Sequence, residues 1–273
     1  MDCCAPPTSF ECTCGLLDRR EVQKKRVIGG AVVDPVSCIL TWPFVICNCV
    51  SVQVNMYPWV VAVTMVWGDG SHSPPHCGGT LVSSRYVVTS ANCAQLLPGV
   101  AALAVRLGEH SVCTAGETKL PEKVVRVNRT IVHESYDRFS NEHDIALLEL
   151  EEYVDLGVYT PACLARATDT YEGRLTKIDE SVKTSVAGLT ARVHGWGMTG
   201  SNWTSCDLRS VEVGVVGAAQ CGAAMSQPVT QDMICAGGVA NQGACVVSVS
   251  ELNRRSIQFI LLHRTSTCFL FAV

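Results

Sequence analysis

Short runs of apolar and β-branched residues recur along the chain, and glycine, proline and polar residues separate them. Few stretches with the period of about 3.6 residues that marks an amphipathic helix compete with these runs. Many short strands at such a spacing predict an all-β sandwich or barrel. The predicted strands are residues 59–66, 86–89, 101–107, 123–132, 145–150, 191–194 and 211–216.

Two stretches depart from this pattern. Residues 36–53 form an apolar block that is rich in cysteine, whereas residues 246–273 are apolar and basic and end without a polar segment. The first block is too short to predict a membrane span, and Pro43 lies inside it. Anchoring in a membrane through residues 38–52 is therefore a hypothesis that the length of the block disfavours.

Composition and charge restrict the classes of partner. The chain has 273 residues, of which 48% are hydrophobic, and this is enough to bury a substantial core in one or two units. Lys and Arg number 21 against 25 Asp and Glu, which gives a net charge of −4. Because this charge is small, we expect neither nucleic acid nor a membrane as a partner.

The cysteine content points to a compartment. Sixteen cysteines are many for a chain of this size, and they indicate an oxidising, extracellular environment. Metal binding is the alternative reading of such a composition. The Cys-Thr-Cys at 12–14 and the Cys-Asn-Cys at 47–49 lack the paired spacings of zinc sites. We therefore expect no metal and no other cofactor.

Signals of secretion are mixed. Residues 1–15 hold no basic segment followed by an apolar one, so no signal peptide is visible. We expect the natural start of a secreted chain to lie upstream; the alternative is that the protein is not secreted. Two sequons for N-linked glycosylation, at Asn128 and Asn202, fit an extracellular protein. Such triplets also occur often by chance.

Seven motifs occur in order along the chain, and together they resemble one enzyme family. They are RVIGG at 26–30, VNMYPW at 54–59, CGGTL at 77–81, VVTSANCA at 87–94, NEHDIALL at 141–148, GWG at 195–197 and MICAGG at 233–238. In this order they resemble the trypsin/chymotrypsin family of serine peptidases, over most of residues 14–245. The resemblance implies two packed six-stranded antiparallel barrels with the catalytic groups in the cleft between them.

The resemblance also implies a division of the chain. Residues 1–26 resemble a propeptide, and residues 27–245 resemble the peptidase domain, interrupted by an insert at 36–53 that is foreign to the family. The tail at 246–273 is foreign as well. Because the match ends near Cys245, we expect the second barrel to be incomplete, without its last strands.

Activation and disulfides follow from the same resemblance. Cleavage after Arg26 would free the amine of Val27. Three disulfides are implied: Cys77–Cys93, Cys221–Cys235 and Cys14–Cys163, of which the last would tether the cleaved propeptide. No partner is implied for several other cysteines: Cys3, Cys4, Cys12, Cys113, Cys206 and Cys245.

One member of the implied catalytic triad is present and one is replaced. Asp144 matches the aspartate that orients the histidine base, but the base position holds Asn92. An imidazole titrates near pKa ~6.5 and exchanges a proton at neutral pH, whereas a carboxamide does not. Three nearby histidines offer no replacement, because each is expected to be a solvated loop residue: His110, His133 and His143.

The serine nucleophile is also missing. After Cys245 the family continues with a Gly-Asp-Ser-Gly-Gly-Pro motif, and this chain continues with Val-Val-Ser-Val-Ser at 246–250 instead. The Gly-Asp-Gly-Ser at 68–71 looks similar, but its place between two strands of the first barrel predicts a hairpin turn. Gly243 lies where the primary specificity residue is expected, and a glycine there argues weakly against a preference for Arg or Lys.

The two foreign stretches share a feature that suggests a common origin. Both open at or near a Val-Ser pair, at 36–37 and 247–248, and a splice donor read in frame translates as Val-Ser. Our hypothesis is that both are intron sequence; the alternative is a real insertion and a real tail. Splicing would return the serine but not the base, because Asn92 lies within matching sequence.

Two functions therefore compete. The first is a catalytically inactive homologue of trypsin-like serine endopeptidases, a monomer that binds a protein or peptide in the cleft between the barrels and has an extracellular regulatory role. The second is an active secreted serine endopeptidase whose coding sequence here retains two introns and has an error at the codon for residue 92.

Overall fold

The structure is a computed structural model, and it describes most of the first half of the chain and selected parts of the second. The described residues are 50–51, 54–116, 120–162, 164, 170–171, 174–175, 190–197, 205–217, 219, 229–230, 233–237, 248–252, 257–262 and 268–272. Within these ranges the regular structure is almost entirely β-strand.

The first half folds into a closed antiparallel barrel of six strands. Their order around the barrel is β2-β3-β4-β7-β6-β5, so the predicted first barrel is confirmed. The strands are β2 (Val60–Trp67), β3 (Cys77–Leu81), β4 (Tyr86–Thr89), β5 (Val100–Leu107), β6 (Lys123–Val132) and β7 (Ala146–Leu150).

The core of this barrel follows from the apolar runs. In β7 buried and half-buried residues alternate, as expected of a strand with one face towards the core. Strand β2 is different, because all of its residues except Trp67 are buried. Its side chains therefore pack both inside the barrel and against residues outside it. The largest fully buried apolar side chains in this half are Trp59, Leu81, Leu107, Leu148 and Leu150.

A second sheet is built mainly from the C-terminal half. Its order is β1-β11-β10-β13-β14-β15-β12, and β11 also pairs with β12. Two further strands form a separate pair, β8 (Thr170–Tyr171) with β9 (Arg174–Leu175). The strands of the second sheet are β1 (Val50–Ser51), β10 (Thr190–Gly195), β11 (Arg209–Val216), β12 (Met233–Gly237), β13 (Ser248–Leu252), β14 (Ile257–Leu262) and β15 (Cys268–Ala272).

The last three strands also pair within the second sheet. Strand β13 pairs with β10, and β15 pairs with β12, with β14 between them. The described residues 248–252, 257–262 and 268–272 are therefore paired in the second sheet, and the incomplete second barrel stays a prediction from the sequence. Part of the block 36–53 also joins the sheet, because β1 pairs with β11.

The two sheets meet where the loop after β5 lies along the segment before β11. The backbone N–H of Val112 donates to the carbonyl of Cys206 at 2.9 Å, and Leu208 N–H donates to the carbonyl of His110 at 2.8 Å. That carbonyl also accepts a bond from the indole N–H of Trp196 at 2.9 Å. His110 is buried, so the expectation that it is a solvated loop residue is wrong.

Disulfides reinforce both regions. The pair Cys77–Cys93 is confirmed within the first barrel, and Cys113–Cys206 links the two sheets at their junction. The sequence named no partner for Cys113 or Cys206. Cys235 is disulfide-bonded, but the proposed partner Cys221 lies outside the described residues, as do both members of the pair Cys14–Cys163. No helix in the described ranges is long and apolar enough to span a membrane.

The packing of β3 gives a test of the barrel. A Cβ atom on Gly79 would lie 2.7 Å from Val87 Cγ1 and 3.1 Å from Val61 Cγ2. We expect Gly79→Ala to lower the free energy of unfolding by roughly 1–3 kcal/mol through overpacking. Gly68→Ala is the matched control, because no atom lies within 4 Å of its added Cβ, and a change within about 0.5 kcal/mol is expected. Equal values for the two variants in urea unfolding would contradict the packing.

Candidate active site

The pairing of β4 with β7 brings the two candidate catalytic positions together. Thr89 at the end of β4 lies opposite Ala146 at the start of β7. The segment that follows β4 and the segment that precedes β7 therefore meet at the same end of the barrel. Asn92 lies three residues after Thr89, and Asp144 lies two residues before Ala146.

A short turn fixes the backbone of Asn92. The N–H of Ala94 donates to the carbonyl of Ser90 at 3.1 Å, and Cys93 N–H donates to Ser90 Oγ at 3.0 Å. The disulfide to Cys77 holds the same turn from the neighbouring strand. The ring Nε2 of His76 lies 3.2 Å from the carbonyl oxygen of Cys93. This end of β4 is thus held by covalent and hydrogen bonds.

The segment before β7 turns sharply to place Asp144. Asn141 and His143 have φ values of 57° and 52°, which lie in the left-handed region that few side chains adopt without local support. Ile145 N–H donates to the carbonyl of His143 at 2.8 Å, and His133 N–H donates to that of Ile145 at 3.1 Å. The carboxyl group of Asp144 is completely buried as a result.

A single hydrogen bond joins the two positions. The backbone N–H of Asn92 donates to Asp144 Oδ1 at 2.8 Å, while the residue itself is exposed. The other carboxylate oxygen, Oδ2, is buried and accepts no hydrogen bond from the part of the chain that the structure describes. The side of Asp144 that would orient a base has no donor among these residues.

Burial dominates the electrostatics of this carboxyl group. It raises the pKa of Asp144 from its ordinary value of 3.8 to about 6, although the backbone N–H groups of Asn92 and Ala91 act in the opposite direction. Burial also raises the pKa of Tyr136, with a further contribution from the negative charge of Asp144. The Tyr136 hydroxyl is buried without a hydrogen-bond partner among the described residues. Two unsatisfied polar atoms therefore belong to this site.

The histidines near the site differ in their surroundings. The rings of His133 and His143 stack with centroids 4.7 Å apart and planes 11° from parallel. His133 is exposed, as predicted, and His143 is half-buried. The sequence did not indicate the stacking, because the left-handed φ of His143 that accompanies it has no simple signature. Within the described ranges, no group of three or more His, Cys, Asp or Glu residues is arranged to hold a metal ion.

The Gly-Asp-Gly-Ser at 68–71 is a turn, as the sequence predicted. Gly70 N–H donates to the carbonyl of Trp67 at 2.9 Å, and Trp67 N–H donates to that of Ser71 at 2.9 Å. The Ser71 hydroxyl donates to Asp69 Oδ1 at 2.6 Å, and this bond lowers the pKa of Asp69. Ser71 is thus a turn residue bound to an exposed carboxylate.

Of the remaining predicted site residues, Asn128 lies on β6. Four of them lie outside the described residues, and they are Arg26, Val27, Asn202 and Gly243. Their roles stay predictions from the sequence.

Comparison with known proteins agrees with the barrel and the motifs. The model of the Trypsin family matches residues 46–246, which is most of the chain. The chain belongs to the trypsin-like serine peptidase family. The match to this family begins inside the block 36–53 and ends one residue after Cys245.

Individual relatives are similar at about 30% identity. Melanization protease 1 of Drosophila melanogaster is 30% identical over 69% of this chain and 48% of its own length, and trypsin of Xenopus laevis is 30% identical over 66% and 63%. Coagulation factor IX of Cavia porcellus is 31% identical over 67% of this chain and 57% of its own length. The chain thus spans less than two thirds of the length of these relatives.

The buried carboxyl group makes stability depend on pH. Because folding raises the pKa of Asp144 from 3.8 to about 6, the folded state holds a proton that the unfolded state releases in this range. The stability contributed by that proton is therefore lost as pH rises towards 6, by about 3 kcal/mol in all. We expect Asp144→Asn, which is neutral throughout, to raise the free energy of unfolding at pH 7 by up to about 3 kcal/mol. Asp144→Asn should also reduce the decrease in the free energy of unfolding between about pH 4 and 6.

Asp137→Asn is the control for this prediction. Asp137 is exposed, and the backbone N–H of Phe139 lowers its pKa, so its replacement should bring no gain at pH 7. Urea unfolding of both variants at several pH values measures the effect. If the free energy of unfolding of Asp144→Asn equalled that of the parent chain at every pH, the raised pKa of Asp144 in the folded state would be refuted.

Placing an imidazole at position 92 gives a second test of the site. In Asn92→His, a ring N–H within reach of Asp144 Oδ2 would favour the charged carboxylate, so the pKa of Asp144 should fall below about 6. Asn92→Gln keeps a carboxamide and should leave this pKa in place. Carbon-13 NMR titration of the aspartate carboxyl signals reads the difference. Identical titrations of the two variants would mean that the ring does not reach Oδ2.

Proposed function

We propose that this chain is a non-hydrolytic member of the trypsin-like serine peptidase family that acts outside cells as a monomer. It binds a protein or peptide ligand in the cleft between its barrels, without a cofactor. The observation that carries the proposal is the contact at Asp144, which accepts the backbone N–H of Asn92, while the exposed residue at 92 carries no titratable group.

The chemistry of peptide hydrolysis explains the weight of this observation. A serine hydroxyl becomes a strong nucleophile only when a neighbouring base takes its proton and later delivers that proton to the leaving amine. A carboxamide does neither at neutral pH. In a triad whose members act as a unit, removing one key member costs about as much as removing all three, roughly 10⁶-fold in kcat.

Asp144 does not replace the missing base. Its carboxyl group is completely buried, so it does not reach a substrate in the cleft. Its Oδ1 is occupied by the Asn92 N–H, and what remains is a structural role in holding the ends of β4 and β7 together. The raised pKa of Asp144 reflects this burial and is not the mark of a working acid.

The second candidate function is that of an active serine endopeptidase, which the correctly spliced transcript would encode. It is supported by the end of the family match at residue 246, next to the Val-Ser pair at 247–248 where the intron hypothesis places the donor site. The intron hypothesis has less support for residues 36–53, because the family match begins at residue 46 and β1 pairs with β11. Splicing would restore a serine motif and would leave Asn92 unchanged.

A two-by-two set of proteins separates the candidates. Residue 92 is Asn or His, and residues 246–273 are kept or replaced by the corresponding C-terminal segment of the Xenopus laevis trypsin. All four are tested with a fluorophosphonate probe and a peptide ester. We expect covalent labelling and turnover only in the protein that carries both changes, since base and nucleophile are each necessary.

Two other outcomes would decide against the proposal. Labelling of the grafted protein with Asn92 would show that the carboxamide suffices and would favour the active enzyme. Turnover by the unaltered chain, abolished by Asp144→Asn, would refute inactivity outright. Transcript reads that join codon 35 directly to codon 54 would establish the first intron, and continuous coverage of codons 36–53 would remove it.

A further inference from the structure

The sequon Asn128-Arg129-Thr130 lies on β6, and the candidate active site does not use it. We propose that Asn128 carries an N-linked oligosaccharide that covers the outward face of β6. The proposal rests on the extracellular location that is part of the proposed function. The other sequon, at Asn202, lies outside the described residues, so the proposal concerns Asn128 alone.

A β-bulge separates Asn128 from the strand ladder. Val127 lies opposite Leu150 and Arg129 opposite Glu149, so the register shifts between them and Asn128 is the extra residue. On the other side of β6, the pairing with β5 extends only to Arg126. Asn128 is exposed, and its amide makes no side-chain hydrogen bond within the described part of the chain. An attached sugar would therefore displace no contact.

The face on which Asn128 lies follows from the alternation of the strand. Val125 is buried in the core, so Val124, Arg126 and Asn128 share the outward face. Beyond the bulge, Thr130 lies opposite the buried Leu148 and faces inwards, which returns Ile131 to the outward face. Asn128 thus lies on the same outward face as Val124 and Ile131, with Arg126 and Arg129 nearer to it along the strand.

Both apolar side chains on this face are exposed to solvent. Val124 is 42% exposed and Ile131 is 37% exposed. Arg129 is held beside them by Glu149, whose Oε2 accepts a bond from Arg129 Nε at 3.0 Å. A bulky hydrophilic chain on Asn128 would cover this face and hinder association of β6 with apolar surfaces of other molecules.

The reaction that the site would undergo is glycosyl transfer from a lipid-linked oligosaccharide diphosphate. A bond forms between Asn128 Nδ2 and the anomeric carbon of the first sugar, and the bond from that carbon to the diphosphate oxygen breaks. The lipid diphosphate leaves with the electron pair, and one amide proton passes to a base of the transferase. The inward orientation of Thr130 does not prevent this step, because transfer can precede folding.

Variants at Thr130 give a matched test. The full chain is expressed in eukaryotic cells behind a cleavable secretion signal, together with Thr130→Ser, Thr130→Ala and Asn128→Gln. Thr130→Ser keeps a sequon and Thr130→Ala differs from it by one hydroxyl group. Peptide-N-glycosidase treatment in heavy-oxygen water, followed by peptide mass spectrometry, measures the occupancy of Asn128.

We expect a converted Asn128 peptide from the parent chain and from Thr130→Ser, and none from Thr130→Ala. Asn128→Gln should also aggregate more than the parent in light scattering. An Asn128 peptide recovered wholly unmodified, in material whose Cys77–Cys93 disulfide has formed, would overturn the proposal. Formation of that disulfide reports passage through the oxidising lumen, and the added signal makes the test independent of native localisation. Peptidase inactivity, the other part of the proposed function, is measured separately and is unaffected by either result.

Discussion

The hydrogen bond from the Asn92 backbone to the buried Asp144 carboxylate is the constraint on which the candidate site depends. It closes the end of the barrel where β4 and β7 pair, and it joins a disulfide-held turn to a segment with two left-handed residues. Because the donor is a backbone N–H, this bond is available to every residue type at position 92 except proline. The geometry of the site therefore persists when its chemistry is lost.

The free-energy cost of burying the Asp144 carboxylate shows a physical consequence of having no histidine at position 92. A buried carboxylate needs several donors to offset the water it gives up, and Oδ2 of Asp144 has none among the described residues. In an active member of the family, the resemblance implies that the base supplies such a donor. Without that donor, burial raises the pKa of Asp144 to about 6, and the negative charge that a catalytic aspartate holds at neutral pH lowers the free energy of unfolding. The proposed loss of catalysis and the local destabilisation thus have the same origin.

Sequence patterns predicted the parts of the structure that repeat, and missed the parts that depend on contacts between distant segments. Five of the six strands of the first barrel follow from apolar and β-branched runs, β3 is not among the predicted strands, and Cys77–Cys93 is implied by the family resemblance. Cys113–Cys206 joins residues 93 positions apart, and spacing alone cannot reveal such a pair. The burial of His110 has the same cause, because it lies at the junction of the two sheets.

The last three strands show why regular strand pairing in the second sheet says little about catalysis. Strand pairing joins backbone N–H and C=O groups, which every residue except proline carries, so a sheet edge accepts any segment with strand propensity. Residues 248–252 and 268–272 pair beside β10 and β12, although the family match has already ended. Acyl transfer depends on particular side chains, since it requires a specific hydroxyl group, a titratable ring and donors aimed at a developing charge. A trypsin-like sheet can therefore be filled by a foreign sequence, whereas its active site cannot.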